Sequence, residues 1–327
     1  MPMRILQVNT LDREGGAEAI AWSLFSAYRA AGLKSWLAVG VKRSADPDVF
    51  LISHAQREQG RWARFWWRVQ TWATRGHGRW GPWGEKARRV AAAVAVPQTW
   101  WDMWRGYESS YYPGTFRVLT LPPERPEILH GHSLQRGYFD LAALPILSRQ
   151  VPVVLTLHDA WLLSGHCTHS FECERWRTGC GHCPDLTIPP ALLRDGTARN
   201  WQRKADIFAQ SWLAVVTPSQ WLMDKVRGSA LRPRLSRVIP NGVDLGVFHP
   251  ADPRLARQAL GVPAAARVVL FVANRARRNP WKDSALLEAA LQQLGAGAPE
   301  LEVLVLGVGD TGPQVRWGAV TLRWAGY

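Results

Sequence analysis

Short apolar runs alternate along this chain with segments whose apolar residues return every three or four positions, the pattern of strands and amphipathic helices joined into strand–helix–strand units. Residues 5–8 read as the first strand. Residues 17–31 read as its helix, with Ile20, Leu24, Ala27, Tyr28 and Ala31 on one stripe and Gly32 as the stop. Strands are predicted again at 36–39, 127–129, 151–157, 212–216 and 237–239, and helices at 138–149, 198–210 and 219–228. After Asn241-Gly242 a second series opens, with a strand at 267–272, a helix at 284–294 and a strand at 301–306. The expected fold is α/β with parallel sheets, divided into a domain at 1–240 and the opening of another at 241–327. No repeat of about 20 to 50 residues interrupts the series.

The stretch 57–112 departs from the alternation. It holds Trp62, Trp66, Trp67, Trp72, Trp80, Trp83, Trp100, Trp101 and Trp104 among many arginines. Drawn as a helix, Arg57, Arg61, Arg64 and Arg68 form one stripe beside an apolar face of Trp62, Phe65, Trp66, Val69 and Ala73. That composition suits a membrane interface, and equally a face packed on its own domain with the arginines in water. With 40 Lys and Arg against 26 Asp and Glu the formal charge is +14, which favours an anionic partner: nucleic acid, a phosphorylated substrate or an acidic bilayer. No apolar run reaches the roughly 20 residues of a membrane span, and no apolar core follows Arg4 as a signal peptide requires. A cytosolic protein is therefore expected.

Candidate chemistry collects at the ends of the predicted strands. Gly15-Gly16 follows the first strand and opens its helix, where backbone can approach a ligand and the helix presents its positive end, although a plain strand-to-helix turn needs the same residues. His130, His132 and His158 lie at or just past strand C-termini, the rim on which open parallel sheets bind ligands. The run from Arg237 to Asp244 carries a strand through Pro240 into Asn241-Gly242, read as a turn whose amides can face an anion. Between the strand at 267–272 and the helix at 284–294, Arg275, Arg277, Arg278 and Lys282 supply cations for a phosphate, or else a solvated charge run. The four cysteines, Cys167, Cys173, Cys180 and Cys183, lie close together; in a reducing compartment that favours a metal or free thiols over disulfides. The closing Cys-x2-Cys pair is the turn that sets two thiolates on one tetrahedral zinc, and His166, His169 and His182 are spare ligands.

Taken in order, Gly15-Gly16-Ala17-Glu18, Thr156-Leu157-His158-Asp159, Thr217-Pro218-Ser219 and Arg237 to Asp244 resemble the family 4 retaining glycosyltransferases, bacterial GT-B enzymes that build surface polysaccharides. The resemblance implies two Rossmann-like domains, the first complete with a cysteine-rich insertion at 160–190 and the second partial. It implies transfer of a hexose from a nucleotide-diphosphate sugar to a lipid-linked or polysaccharide acceptor, with no catalytic metal and any zinc purely structural. His158, with His132, falls at the reacting centre, where it orients the acceptor hydroxyl or hydrogen-bonds the sugar. Gly15, Gly16, Asn241, Gly242, Arg275 and Lys282 fall on the donor phosphates. Asp283 stands where the family has glycine after its lysine. The family's Glu-x7-Glu element, which holds donor sugar and ribose, cannot be assigned in this sequence. The expectation is accordingly a fragment or shortened relative that transfers sugar poorly, the alternative being a noncatalytic acceptor-binding protein. The expected location is the inner face of the cytoplasmic membrane, in contact with anionic lipid. A nucleic-acid binder accounts for neither the strand-end histidines nor the 238–244 run and is ranked last.

Overall fold

The computed structural model describes residues 2–53, 97–108, 111–135, 137–273, 277, 282–298, 300 and 302–326. The chain divides into two compact units, Met1–Gly242 and Val243–Tyr327. Most of the tryptophan-rich stretch, together with Arg275 and Arg278, lies outside the described residues.

In the first unit seven strands form one parallel sheet: β1 (Arg4–Leu11), β2 (Lys34–Val41), β3 (Val49–Leu51), β4 (Ile128–Gly131), β5 (Val153–Thr156), β6 (Leu213–Thr217) and β7 (Leu235–Val238). Their order is β3-β2-β1-β4-β5-β6-β7. The series runs outward in both directions from β1 and β4, so the crossover reverses there and leaves a crevice past the strand C-termini. Among the described residues the helices are α1 (Gly16–Ala30), α2 (Pro97–Trp104), α3 (Leu144–Ser148), α4 (Thr197–Ala209) and α5 (Gln220–Gly228). Because both faces of a parallel sheet are covered, its strands are apolar almost throughout: Leu6, Val8, Leu129, Val153, Leu155 and Val215 all belong to one buried cluster.

The helix predicted at 138–149 is replaced by a 3-10 turn, Leu141–Ala143, and then the short α3. Pro145 sits in the first turn of α3, and with no N–H to donate it starts a helix there rather than continuing one. Asp140 caps the preceding turn by accepting from Ala142 N at 3.0 Å. The Asn241-Gly242 turn does not form. Residues 239–244 are irregular and exposed, and the turn comes later, where Asp244 accepts from Gly246 N at 2.8 Å and its carbonyl from Phe248 N at 2.7 Å. Pro240 has no N–H and fixes its own φ, while Gly242 stays out of the left-handed region that an Asn-Gly hairpin turn requires.

The second unit contains α6 (Pro253–Leu260), β8 (Arg267–Val272), α7 (Ser284–Gly297), β9 (Val303–Val308), β10 (Val315–Trp317) and β11 (Val320–Gly326), with strand order β10-β11-β9-β8. β8, β9 and β11 are parallel, whereas β10 and β11 close an antiparallel hairpin that the periodicity does not indicate. The central strand β9 is buried on both faces: Val303 and Val305 pack with Leu291 of α7, and Leu304 and Leu306 with Val262 and Ala266. β8 is largely exposed, and α6 has no buried residue. Among the described residues no helix is long and apolar enough to cross a membrane.

Leu6 on β1 is fully buried, while Ile146 on α3 is 44% exposed. Leu6→Ala is expected to lower the unfolding free energy by about 2–5 kcal/mol, the cost of a buried leucine plus its cavity, and Ile146→Ala to change it by less than about 0.5 kcal/mol. Denaturant unfolding followed by circular dichroism checks both; equal effects would contradict this assignment of the core.

Candidate functional site

The pairing of β1 with β4 aligns Gln7 with His130 and Val8 with Gly131, and the ladder continues one step as His132 N donates to Val8 O at 2.9 Å. β4 pairs in turn with β5, so His132 and His158 leave neighbouring strands at the same edge. Their rings stack with centroids 5.5 Å apart, and His132 Nδ1 lies 3.2 Å from His158 Nε2. The His130 ring lies tilted against that of His132 with centroids 4.3 Å apart, and its Nε2 is 2.8 Å from Thr156 Oγ1. A small cavity beside this column is lined by His132, His158, Ser133, Gln135, Asp159 and Trp161.

Burial lowers all three histidines: His130 to about 4, His132 well below its ordinary value with the neighbouring imidazoles adding to the effect, and His158 more moderately. All three are therefore neutral imidazoles near neutral pH. Such a column can donate and accept hydrogen bonds but brings no positive charge of its own.

The two loops flanking the crevice are tied to the sheet. Asn9 Oδ1 accepts from Ser133 N at 3.3 Å and Thr10 Oγ1 donates to Ser133 O at 2.9 Å, fixing the chain after β4. Asp12, fully buried, accepts from Arg43 N at 2.9 Å and Ser44 N at 2.7 Å. Burial pushes its carboxyl up, but these donors outweigh that and hold it below its ordinary value. Asp12 thereby anchors the loop carrying Gly15 and Gly16. Gly15 is the N-cap of α1 with φ 112°, where a side chain would be strained and would strike the Glu18 carboxylate. Space beside Gly16 is open, and no side chain caps the helix, so the first-turn amides face outward. The structure thus brings His132 and His158 into contact and sets Gly15 and Gly16 on the adjoining loop of the same sheet edge. Asn241 and Gly242 lie in exposed irregular chain.

In the second unit Lys282 is exposed immediately before α7. Its neighbour Asp283 caps that helix, accepting from Leu286 N at 3.1 Å, and adopts φ 43°. That left-handed backbone is the conformation glycine adopts most freely and Asp more readily than most residues. Arg277, also exposed, donates from its backbone to Asp310 Oδ2 at 2.9 Å.

Sequence reasoning missed Lys204. This α4 lysine is buried, donates to Glu108 Oε1 at 2.8 Å, Trp161 O at 2.9 Å and Ser164 O at 3.0 Å, and lies 3.9 Å from the centre of the Trp161 ring. Burial lowers the lysine and raises the glutamate, each opposed by the other's charge. The pair fastens the chain from Trp161 to Ser164 directly behind His158. Its signal lay in the buried stripe Asn200, Lys204, Ile207 and Phe208 of α4, in which a lysine occupies an apolar position.

Cys167, Cys173, Cys180 and Cys183 converge with His166 on one cavity of about 20 Å³. Gly165 N donates to Cys180 Sγ at 3.2 Å. His166 Nδ1 donates to Pro190 O at 3.1 Å, which leaves the Nε2 lone pair facing Cys183 Sγ at 3.4 Å. Among the described residues, no group of three or more His, Cys, Asp and Glu side chains is close enough together to hold a metal ion in this arrangement.

Residues 15–247 match the family model of Glycosyltransferase Family 4. WcaC of Escherichia coli strain K12, named as a candidate glycosyl transferase of colanic acid biosynthesis, is 31% identical over 131 residues, covering 37% of this chain and 32% of WcaC. A Catenulispora acidiphila protein named D-inositol 3-phosphate glycosyltransferase 2 is 30% identical over 228 residues, 67% of this chain and 48% of that one. The chain spans less than half the length of either relative. Anabaena HepE, crystallised with UDP-glucose, shares the fold at a TM-score of 0.50 and 16% identity, over 99% of this chain and 69% of HepE. The α/β, Rossmann-like reading of the sheet agrees with that likeness. Because the family match takes in the glycine loop, the histidine column and the cysteine segment together, this chain belongs to glycosyltransferase family 4.

Proposed function

We propose that this protein is a retaining glycosyltransferase that moves a hexose from a nucleotide-diphosphate sugar to a lipid-linked or polysaccharide acceptor in cell-surface polysaccharide synthesis, without a catalytic metal. The observation that carries the reading is the neutral His132–His158 pair at the β1–β4 reversal, beside the uncapped start of α1. Charge grows on the leaving pyrophosphate as the glycosidic bond breaks, and amides at a helix start together with lysine or arginine can stabilise it. Gly15 and Gly16 at a helix start and the cations Arg275 and Lys282 are proposed for that work, and the exposed backbone of Asn241 and Gly242 for further phosphate contacts. His158, uncharged, is suited to hydrogen-bonding a sugar or acceptor hydroxyl, with His132 behind it. UDP-glucose, the ligand in the HepE crystals, is the first donor to test. With radiolabelled UDP-sugars and membrane acceptor, His158→Ala is expected to reduce kcat about 100-fold or more. Lys282→Ala is expected to reduce kcat/KM about 10- to 100-fold, as loss of one charged hydrogen bond would. Binding of acceptor with no turnover from any nucleotide sugar would favour the noncatalytic alternative.

Peripheral contact with anionic lipid at the inner membrane face is part of the proposal, supported by the described end of the tryptophan-rich stretch. Trp101, Met103 and Trp104 of α2 are 49%, 54% and 37% exposed, and Arg194 lies 3.7 Å from the centre of the Trp104 ring. Each tryptophan entering the interface contributes about 1.5–3 kcal/mol, so Trp101→Ser with Trp104→Ser should weaken sedimentation with phosphatidylglycerol vesicles at least about tenfold. Equal binding to neutral and anionic vesicles would remove the electrostatic part, and an unchanged double variant the aromatic part.

A structural zinc at the cysteine cluster is proposed on donor chemistry and on His166, whose Nδ1 is held by a carbonyl while Nε2 faces the thiols, as in zinc-bound histidines. Zinc would draw the thiolates inward from their present separation. Metal analysis should find about one equivalent in the intact protein, lost in the double variant Cys180→Ser with Cys183→Ser, which leaves three of the five candidate donors for a four-ligand shell. Four rapidly titrating thiols and no metal would reject it.

A further inference from the structure

The buried polar chain that ends at His158 begins three elements away, inside α1. Gln7 on β1 is fully buried. Its amide meets three neighbours: Ala21 O, Phe25 N–H and His132 Nε2. Only one amide orientation suits both helix groups. With Nε2 donating to Ala21 O at 3.1 Å and Oε1 accepting from Phe25 N at 2.8 Å, the second amide hydrogen is directed at His132 Nε2, 3.0 Å away. The reversed orientation would set an oxygen against the Ala21 carbonyl and an N–H against the Phe25 N–H, two like-for-like contacts in a buried setting.

The consequences for the histidines follow by elimination. A glutamine N–H donates, so His132 Nε2 must accept, and a neutral imidazole that accepts at Nε2 carries its proton on Nδ1. That Nδ1–H lies 3.2 Å from His158 Nε2, which must accept in its turn. His158 is then protonated on Nδ1 alone. Thr156 does not intervene, because its hydroxyl can serve His130 as donor or acceptor.

We infer that Gln7 is a positioning residue: anchored on α1, it sets the tautomers of His132 and His158 so that His158 meets its ligand as an Nδ1–H hydrogen-bond donor and not as a base. The consequence for transfer rests on the glycosyltransferase reading; the tautomer assignment does not. In that reaction His158 would steady a hydroxyl or sugar oxygen by donation, and the acceptor proton would leave by another route.

The test is ¹⁵N-labelling of histidine in the full chain with long-range ¹H–¹⁵N correlation at neutral pH, where the protonated and bare ring nitrogens separate in shift. His132 and His158 are expected in the Nδ1–H form, by about five- to tenfold or more over the alternative, the ratio one net hydrogen bond sustains. In Gln7→Met, of similar volume, both should move toward the Nε2–H form that free histidine prefers. In Gln7→Glu, an ionised carboxylate can only accept, which should invert both rings. Finding wild-type His158 mainly as Nε2–H overturns the inference without any variant, and a folded Gln7→Met with unchanged tautomers overturns the role of Gln7. The spectra need no turnover, so a wrong tautomer and a wrong reaction are told apart. With UDP-glucose as probe, Gln7→Met should lower kcat while donor KM holds, and unchanged kcat beside shifted tautomers would overturn the functional half.

Discussion

Pairing β1 with β4 sets Gln7 level with His130 and places the N–H of His132 on the carbonyl of Val8, and the side-chain contacts of the site descend from that register. Side chains alternate faces along a strand, so a slip of one residue would turn Gln7 from α1 and His132 toward the opposite face. The apolar neighbours prevent it. Leu6 and Val8 on β1 and Leu129 on β4 enter one core cluster, and a slip would expose them. Hydrophobic burial therefore fixes the geometry of a polar column to which it contributes no atom.

That column is costly to bury and is kept because its members find partners. Three histidines, a glutamine and a threonine lie together in a sheet whose interior is mostly apolar, and a half-satisfied network there would be worse than none. Desolvation strips the imidazoles of charge, which removes the repulsion that stacked imidazolium rings would suffer. The linkage has a defined sign. Each lowered histidine binds fewer protons in the folded chain than in the unfolded one, so its share of stability is present above the ordinary histidine value near 6.5 and declines as pH falls below it, down to about 4 for His130. Lys204 follows the opposite strategy: it keeps its charge company with Glu108 and two carbonyls, and secures the chain leading away from His158.

Much of this architecture is legible in the amino-acid sequence. Period-2 and period-3.6 patterns locate nearly every long element of the first unit, and strand ends single out His132 and His158 because open parallel sheets bind at that rim. What escapes has physical reasons. Gln7 is one polar residue in the run Ile5-Leu6-Gln7-Val8, and nothing local says that a helix 14 to 18 residues onward offers Ala21 O and Phe25 N–H to it. Asn241-Gly242 carries a strong turn signal, yet the preceding Pro240 and the absence of a partner strand among the described residues leave it irregular. The β10–β11 hairpin turns at Gly318, φ 58°, against the carbonyl of Gly295, a long-range contact invisible to a window of periodicity.

The departure at Asp283 shows how a substitution can keep a backbone while changing its electrostatics. Glycine after the lysine would reach φ 43° without cost. Aspartate reaches it with modest strain and then offsets that by capping α7 through Leu286 N–H. The carboxylate that stabilises the helix start also consumes one of the amides an incoming anion could have used, and it stands next to Lys282. Negative charge at a helix N-terminus helps the helix and competes with a phosphate for the same positive end. If this site receives a pyrophosphate, the cation of Lys282 must outweigh a neighbouring anion that glycine would not have introduced. Binding there should consequently be weaker and less sensitive to salt than at a glycine-bearing loop of the same shape, since screening then acts on a smaller net attraction, the difference of two opposed charges.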